Sequence, residues 1–190
     1  SHDAIYLLIE ALHDEDKWVQ VAACEMLGEL RARQAVPELL KLTRSPSCHV
    51  QFAALTALSK IGDPAAKPAV APLLYSPTKE IREVAFEIYS QHCSCAELAP
   101  LLNDEHPEIR ILACSALGRL GEPDCIPLLE QALSDPDKWV RYEACQALLR
   151  TGRAEAIPVL QKARLDPEKI VQTAAESAID KLSRRRLAHD

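Results

Sequence analysis

Seven cysteines and six histidines are the side chains of this 190-residue sequence best suited to metal binding or nucleophilic chemistry. His92, Cys93 and Cys95, with His106 a short way on, form the only run rich in soft ligands. Cys93-Ser94-Cys95 lacks the two to four residue spacing of structural zinc sites, and no second pair follows to close a tetrahedron. The cluster reads as loop, and no metal is expected. Cys24, Cys114 and Cys145 share one register position that Leu55 and Phe86 take elsewhere, so it is a packing position. Cys48 and Cys125 fall near expected helix starts, where a thiol pKa drops, but no general base accompanies them. No Gly-rich phosphate loop, Gly-x-Ser-x-Gly elbow or His-Glu-x-x-His pair occurs. No catalytic residue is assigned, no cofactor is implied, and an enzyme is not the expected class.

Composition narrows the remaining classes. Hydrophobic types make up 48% and charged types 26%, which suits a chain that folds around a core. The net charge of −6 arises from 22 Lys and Arg against 28 Asp and Glu, with acidic residues in excess in both halves. Nucleic acid is therefore a poor partner, since phosphate affinity needs clustered cations. The run Arg184-Arg185-Arg186 reads as a solvated helix end. No apolar run approaches the roughly 18 residues of a membrane helix, so no membrane partner is expected. An odd number of cysteines, in a chain too large to need staples, implies free thiols and a cytoplasmic setting. Ser1-His2 reads as an added dipeptide ahead of a chain that can be part of a longer protein.

The elements that position these residues repeat. Val19, Val50, Ile81, Ile109, Val140 and Val171 are equivalent anchors, spaced 31, 31, 28, 31 and 31 residues apart. Alanine stands four residues after each anchor, at 23, 54, 85, 113, 144 and 175. Apolar residues at the anchor, +4, +7, +8 and +11 trace one stripe of an amphipathic helix. Asp14, Ser45, Ser76, Asp104, Asp135 and Asp166, five residues ahead, are expected N-caps, with Pro46, Pro77, Pro136 and Pro167 in the first turn. Gly62, Gly121 and Gly152 mark the stops. A shorter apolar segment precedes each helix, with Pro37, Pro68, Pro127 and Pro158 near its start. The sequence thus predicts six helix pairs, at approximately 3–12/15–30, 34–43/46–61, 65–75/77–91, 95–102/105–120, 124–133/136–151 and 154–164/168–183. One pair cannot bury its apolar face alone, so the pairs must stack into a single all-α, right-handed α-solenoid over 1–190. The 28-residue step, at His92 to Pro100, and Pro72 are irregularities, and a change of curvature is expected between the third and fourth pairs.

The pattern Asp-Pro-x-x-x-Val-Arg, then Ala, then Ala-Leu, as in Asp135 to Leu148, resembles the short HEAT repeats of the phycobilisome-lyase type. The resemblance covers nearly the whole chain. It implies an interaction scaffold or adaptor or, alternatively, a phycobilin lyase subunit or chromophore-handling protein. It also implies that Arg82, Arg110 and Arg141 form an inter-repeat ladder to acidic loop residues such as Asp104 and Asp135. Related hydroxylases use His-Glu pairs as iron ligands, and no histidine here is followed by Glu.

Relative to the core stripe, positions −1, +2 and +6 fall at about 260°, 200° and 240° on a helical wheel and point away from the core. In arrays of this family the second helices line the concave face. That face then carries Trp18, Val21 and Glu25, followed by His49, Phe52 and Thr56, then Glu80, Glu83 and Glu87. Glu108, Ile111 and Ser115, then Trp139, Tyr142 and Gln146, and last Ile170, Thr173 and Ser177 continue it. Aromatic anchors flank an acidic centre. Such a face fits a protein partner, as a helix or extended segment with apolar and basic residues.

Overall fold

In the computed structural model, residues 2–187 are described, and among them there is helix and no strand. The chain divides into two compact units, residues 1–92 and 93–190, and the division falls in the stretch where the period shortens. The N-terminal unit holds three helix pairs: α1 (His2–Ala11) with α2 (Lys17–Glu29), α3 (Val36–Leu42) with α4 (Cys48–Ile61), and α5 (Ala66–Val70) with α6 (Lys79–Ser90). The C-terminal unit holds three more: α7 (Cys95–Leu98) with α8 (Pro107–Leu120), α9 (Cys125–Ala132) with α10 (Lys138–Thr151), and α11 (Ala156–Ala163) with α12 (Lys169–Leu187). None of the described helices is long and apolar enough to cross a membrane.

Each pair follows from its sequence. The anchor valines and isoleucines from Val50 onward are at most 2% exposed, and the alanine at +4 is buried in all six pairs. Gly62, Gly121 and Gly152 end α4, α8 and α10 at φ of +66°, +63° and +70°, the left-handed conformation that glycine adopts without a Cβ clash. The first helices of the third and fourth pairs are shorter than their sequences suggest. Each turns into a 3-10 segment, at Ala71–Tyr75 and Ala99–Asn103, because Pro72 and Pro100 carry no N–H for an α-helical bond.

The helix starts differ from expectation. The N-cap positions of α2, α4, α6, α8 and α10 are held by Asp16, Ser47, Thr78, His106 and Asp137, two residues beyond the expected ones, and of these Asp16 and Asp137 accept a helix N–H with their side chains. The expected caps form turns instead: the side chains of Asp14, Ser45, Ser76, Asp104, Asp135 and Asp166 each accept the N–H two residues on, at 2.8–3.3 Å. A short acceptor side chain satisfies its own backbone this way without starting a helix. Proline at the intervening position fixes the turn rather than the helix.

The +1 residue of every second helix reaches back to a carbonyl just ahead of it. Gln20, Gln51, Arg82, Arg110, Arg141 and Gln172 donate to Asp14, Thr43, Ser76, Asp104, Asp135 and Asp166 at 2.7–2.9 Å. Two of the arginines extend further. Arg110 Nε and Nη2 donate to both carboxylate oxygens of Asp135 at 2.7 and 2.9 Å, and Arg141 does the same to Asp166 at 2.7 and 3.0 Å. These are the rungs of the expected ladder within the C-terminal unit; the Arg141–Asp166 pair is buried and the Arg110–Asp135 pair part-buried.

Neighbouring second helices come closest at two glycines. A Cβ on Gly28 would lie 2.9 Å from Ala57 Cα, and one on Gly118 would lie 2.7 Å from Ala147 Cα and 2.9 Å from its carbonyl oxygen. Backbone therefore packs on backbone between α2 and α4 and between α8 and α10. Gly118→Ala should destabilise the protein by about 1–3 kcal/mol, the cost of overpacking, although alanine in an exposed helix gains about 1 kcal/mol over glycine. Urea unfolding reads the difference, and a net gain would show that α10 moves aside freely.

Candidate functional site

The N-terminal unit gathers most of its own share of the expected surface into one pocket of about 840 Å³. Three helices build it. α2 supplies Trp18, Val21 and Glu25, α4 supplies His49, Phe52 and Thr56, and α6 supplies Glu80. Trp18 is 56% exposed and Phe52 41%, so neither aromatic ring is part of the core. The Trp18 and His49 rings lie 5.2 Å apart and tilted, while Lys17 Nζ sits 5.3 Å from the indole. The start of α2 beneath the indole is fixed by the Asp16 carboxylate, which accepts the backbone N–H of Trp18 at 2.8 Å.

Charge at the pocket is unbalanced. Lys60 is the cation among its lining residues and is paired with Glu29 at 2.6 Å, a bond that lowers the Glu29 carboxyl pKa. Glu25 and Glu80 have no ion-pair partner among the described residues. Glu83 and Glu87 lie exposed on α6 outside the pocket, with Glu83 3.6 Å from Lys79. The rim is therefore acidic around an apolar floor.

Met26 and Leu30 also line the pocket, at 53% and 54% exposure, although their +7 and +11 positions read as core. Position +7 is the one that packs on the preceding second helix, as Ala57 does on Gly28, and among the described residues α2 has only α1 ahead of it. The signal was faint but present. Four of the six +7 residues are alanine, and Met26 departs from them.

The remaining expected residues lie in the C-terminal unit. Trp139 is 49% exposed and meets Tyr142 edge-on at 6.1 Å, with Lys138 6.0 Å from its ring. Its start repeats that of α2: the Asp137 carboxylate accepts the Trp139 and Val140 N–H groups at 2.7 and 3.3 Å. Ile111, Tyr142 and Gln146 are half-buried and Glu108 is exposed. Ser115 accepts a bond from Arg150 at 3.4 Å, and Ile170, Thr173 and Ser177 are exposed on α12.

The cysteines need one correction. Cys95 and Cys125 form a disulfide, so the expectation of seven free thiols fails, and with it the compositional argument for a reducing compartment. Cys125 occupies a column that Ala35, Ala66 and Ala156 fill elsewhere, all fully buried, and Cys95 meets it across 5.7 Å between Cα atoms. The Glu122 carboxylate lies 3.4 Å from Cys95 Sγ, and the three side chains converge, but the S–S bond engages both sulfurs. His92 donates to the Gly62 carbonyl and His106 to Asp104, both at 3.0 Å. Burial pushes the thiols of Cys24, Cys114 and Cys145 up to about 12, in keeping with packing and not with nucleophilic attack.

The family model for HEAT repeats matches residues 5–89 and 96–180. The chain belongs to the HEAT-repeat family. Solved structures of the same fold include the archaeal HEAT-like repeats protein from Thermococcus onnurineus NA1, at 12% identity and a TM-score of 0.59, covering 97% of this chain and 89% of that one. A designed armadillo repeat protein in complex with the peptide (KR)4 matches at 18% identity and a TM-score of 0.54, covering 93% and 98%. At these identities the likeness concerns fold alone: an all-α repeat solenoid of the HEAT and armadillo class. No curated protein matches the chain.

Proposed function

We propose that this HEAT-repeat chain is a non-enzymatic interaction module that holds a basic, apolar segment of a protein partner against its second helices. The observation that carries the reading is the pocket of the N-terminal unit, where exposed Trp18 and Phe52 stand beside the unpaired carboxylates of Glu25 and Glu80. Aromatic anchors with room beside them are the groups that dominate binding energy, and uncompensated carboxylates select cations. Glu83 and Glu87 extend the acidic strip along α6. Glu108, Ile111, Trp139, Tyr142 and Gln146 form a second patch of similar composition in the C-terminal unit. A designed armadillo protein of the same fold is complexed with an alternating Lys-Arg peptide, which supports a peptide-like ligand with basic residues.

The test is a titration with two synthetic peptides, one alternating Lys with Leu and one alternating Glu with Leu. A Trp139→Phe background leaves Trp18 as the sole indole. The basic peptide should change Trp18 emission saturably, and added salt should weaken the effect, because the attraction is between exposed charges. No response to the basic peptide, or an equal response to the acidic one, overturns the reading.

A further inference from the structure

Cys95 begins α7, Cys125 begins α9, and Glu122 lies in the turn ahead of α9, so side chains from two neighbouring pairs of the C-terminal unit meet. Their two sulfurs and a carboxylate oxygen all lie within 4.8 Å of one another. Both cysteines are buried and Glu122 is exposed, so the group is sealed on its sulfur side and open on its oxygen side.

The disulfide alone does not account for Glu122. Its carboxylate oxygen lies 3.4 Å from Cys95 Sγ, yet a sulfur in a disulfide has no proton to donate. Among the described residues Glu122 has no ion-pair partner. Asp63, at the same place in its own repeat, turns its carboxylate onto the Ala65 N–H at 2.9 Å. Glu122, one methylene longer, reaches the sulfurs instead. Reduction would leave two thiols and a carboxylate around one point. Two thiolates and a carboxylate are donors of a zinc site, with a fourth position left for water, and the thiolates select against magnesium and calcium. Sulfurs bound to one Zn2+ at about 2.3 Å each stand roughly 3.8 Å apart, a separation that rotating the two side chains supplies across the 5.7 Å between their Cα atoms. Cys125 is also the first residue of α9, where the helix dipole favours a thiolate. We propose that Cys95, Glu122 and Cys125 form a redox-gated Zn2+ site, closed as the disulfide and open as the dithiol. To open it, a dithiol reductant gives two electrons and two protons to the S–S bond and becomes a disulfide itself. Metal binding then releases both thiol protons.

The full chain, reduced with a phosphine and desalted without oxygen, is titrated with Co2+, whose bonds to thiolates absorb in the near ultraviolet. Equimolar Co2+ should produce this charge-transfer band, Zn2+ should displace it, and the oxidised chain should give none. Cys125→Ala, which restores the alanine of positions 35, 66 and 156, should abolish the band with helical circular dichroism unchanged. Glu122→Ala should weaken binding by more than about tenfold, since losing a ligand costs more than losing a group that supports one. Cys48→Ser should leave binding as it is, which excludes the exposed Cys48 beside His49 as its source. The proposal is overturned by a reduced chain that gives no band or folds neither with Zn2+ nor without it. A band that survives Cys125→Ala or is lost in Cys48→Ser, or full affinity in Glu122→Ala, overturns it as well.

Discussion

Replacing Asp166 by alanine should destabilise the protein by about 3–5 kcal/mol, the usual loss when one member of a buried ion pair is removed. That is a large part of the roughly 5–15 kcal/mol that holds a typical domain together. The cause is the Arg141 guanidinium, whose side chain is 10% exposed and keeps only the Asp135 and Pro136 carbonyls once the carboxylate is gone. The turn bond to the Glu168 N–H goes as well. The hydrogen bonds from Arg141 hold the Asp166 carboxyl below its ordinary pKa. A carboxyl depressed in the folded state stabilises above its unfolded pKa of about 3.9, and that contribution is lost as pH falls through the folded value. The gap between wild type and Asp166→Ala, read by urea unfolding, should therefore be constant at neutral pH and narrow only below about pH 4. A gap that closes near neutrality would rule out the ion pair as its source.

Trp18→Ala should weaken capture of the basic peptide by at least about 30-fold, equivalent to about 2 kcal/mol for an anchor side chain. Stability should change by less than about 1 kcal/mol, because more than half of the side chain already faces solvent. Calorimetric titration together with thermal unfolding separates the two effects. A fall in melting temperature with binding intact would make the indole a cover for the loop ahead of α2. Phe52→Ala, on α4, should act in the same direction.

The helix pairs and the aromatic face were legible because they repeat. Six anchors with alanine at +4 define the stripe that Val50, Ile81 and their equivalents bury, and whatever lies opposite it, Trp18 and Phe52 included, has to point outward. The caps lie two residues beyond expectation because a start such as Asp135-Pro136-Asp137 offers two acceptors, and only backbone geometry tells the turn from the cap. Met26 and Leu30 were misread for a different reason. Their exposure depends on what stands beside α2, and within the helix only the departure of Met26 from the alanine column points to it. The disulfide was hidden by the shortened repeat, which shifts Cys95 one place out of the column that Cys125 shares with the buried alanines.

Asp135 and Asp166 each serve two purposes at once, closing the turn of their own repeat and receiving the arginine of the repeat before. In an array of near-independent modules, unfolding can stop at any boundary, and the coupling between neighbours decides whether it does. Here a repeat that frays at its turn also lets go of its neighbour's guanidinium. From α8 to α12 the chain is thereby wired to melt as a block, with few partly unravelled states along the way.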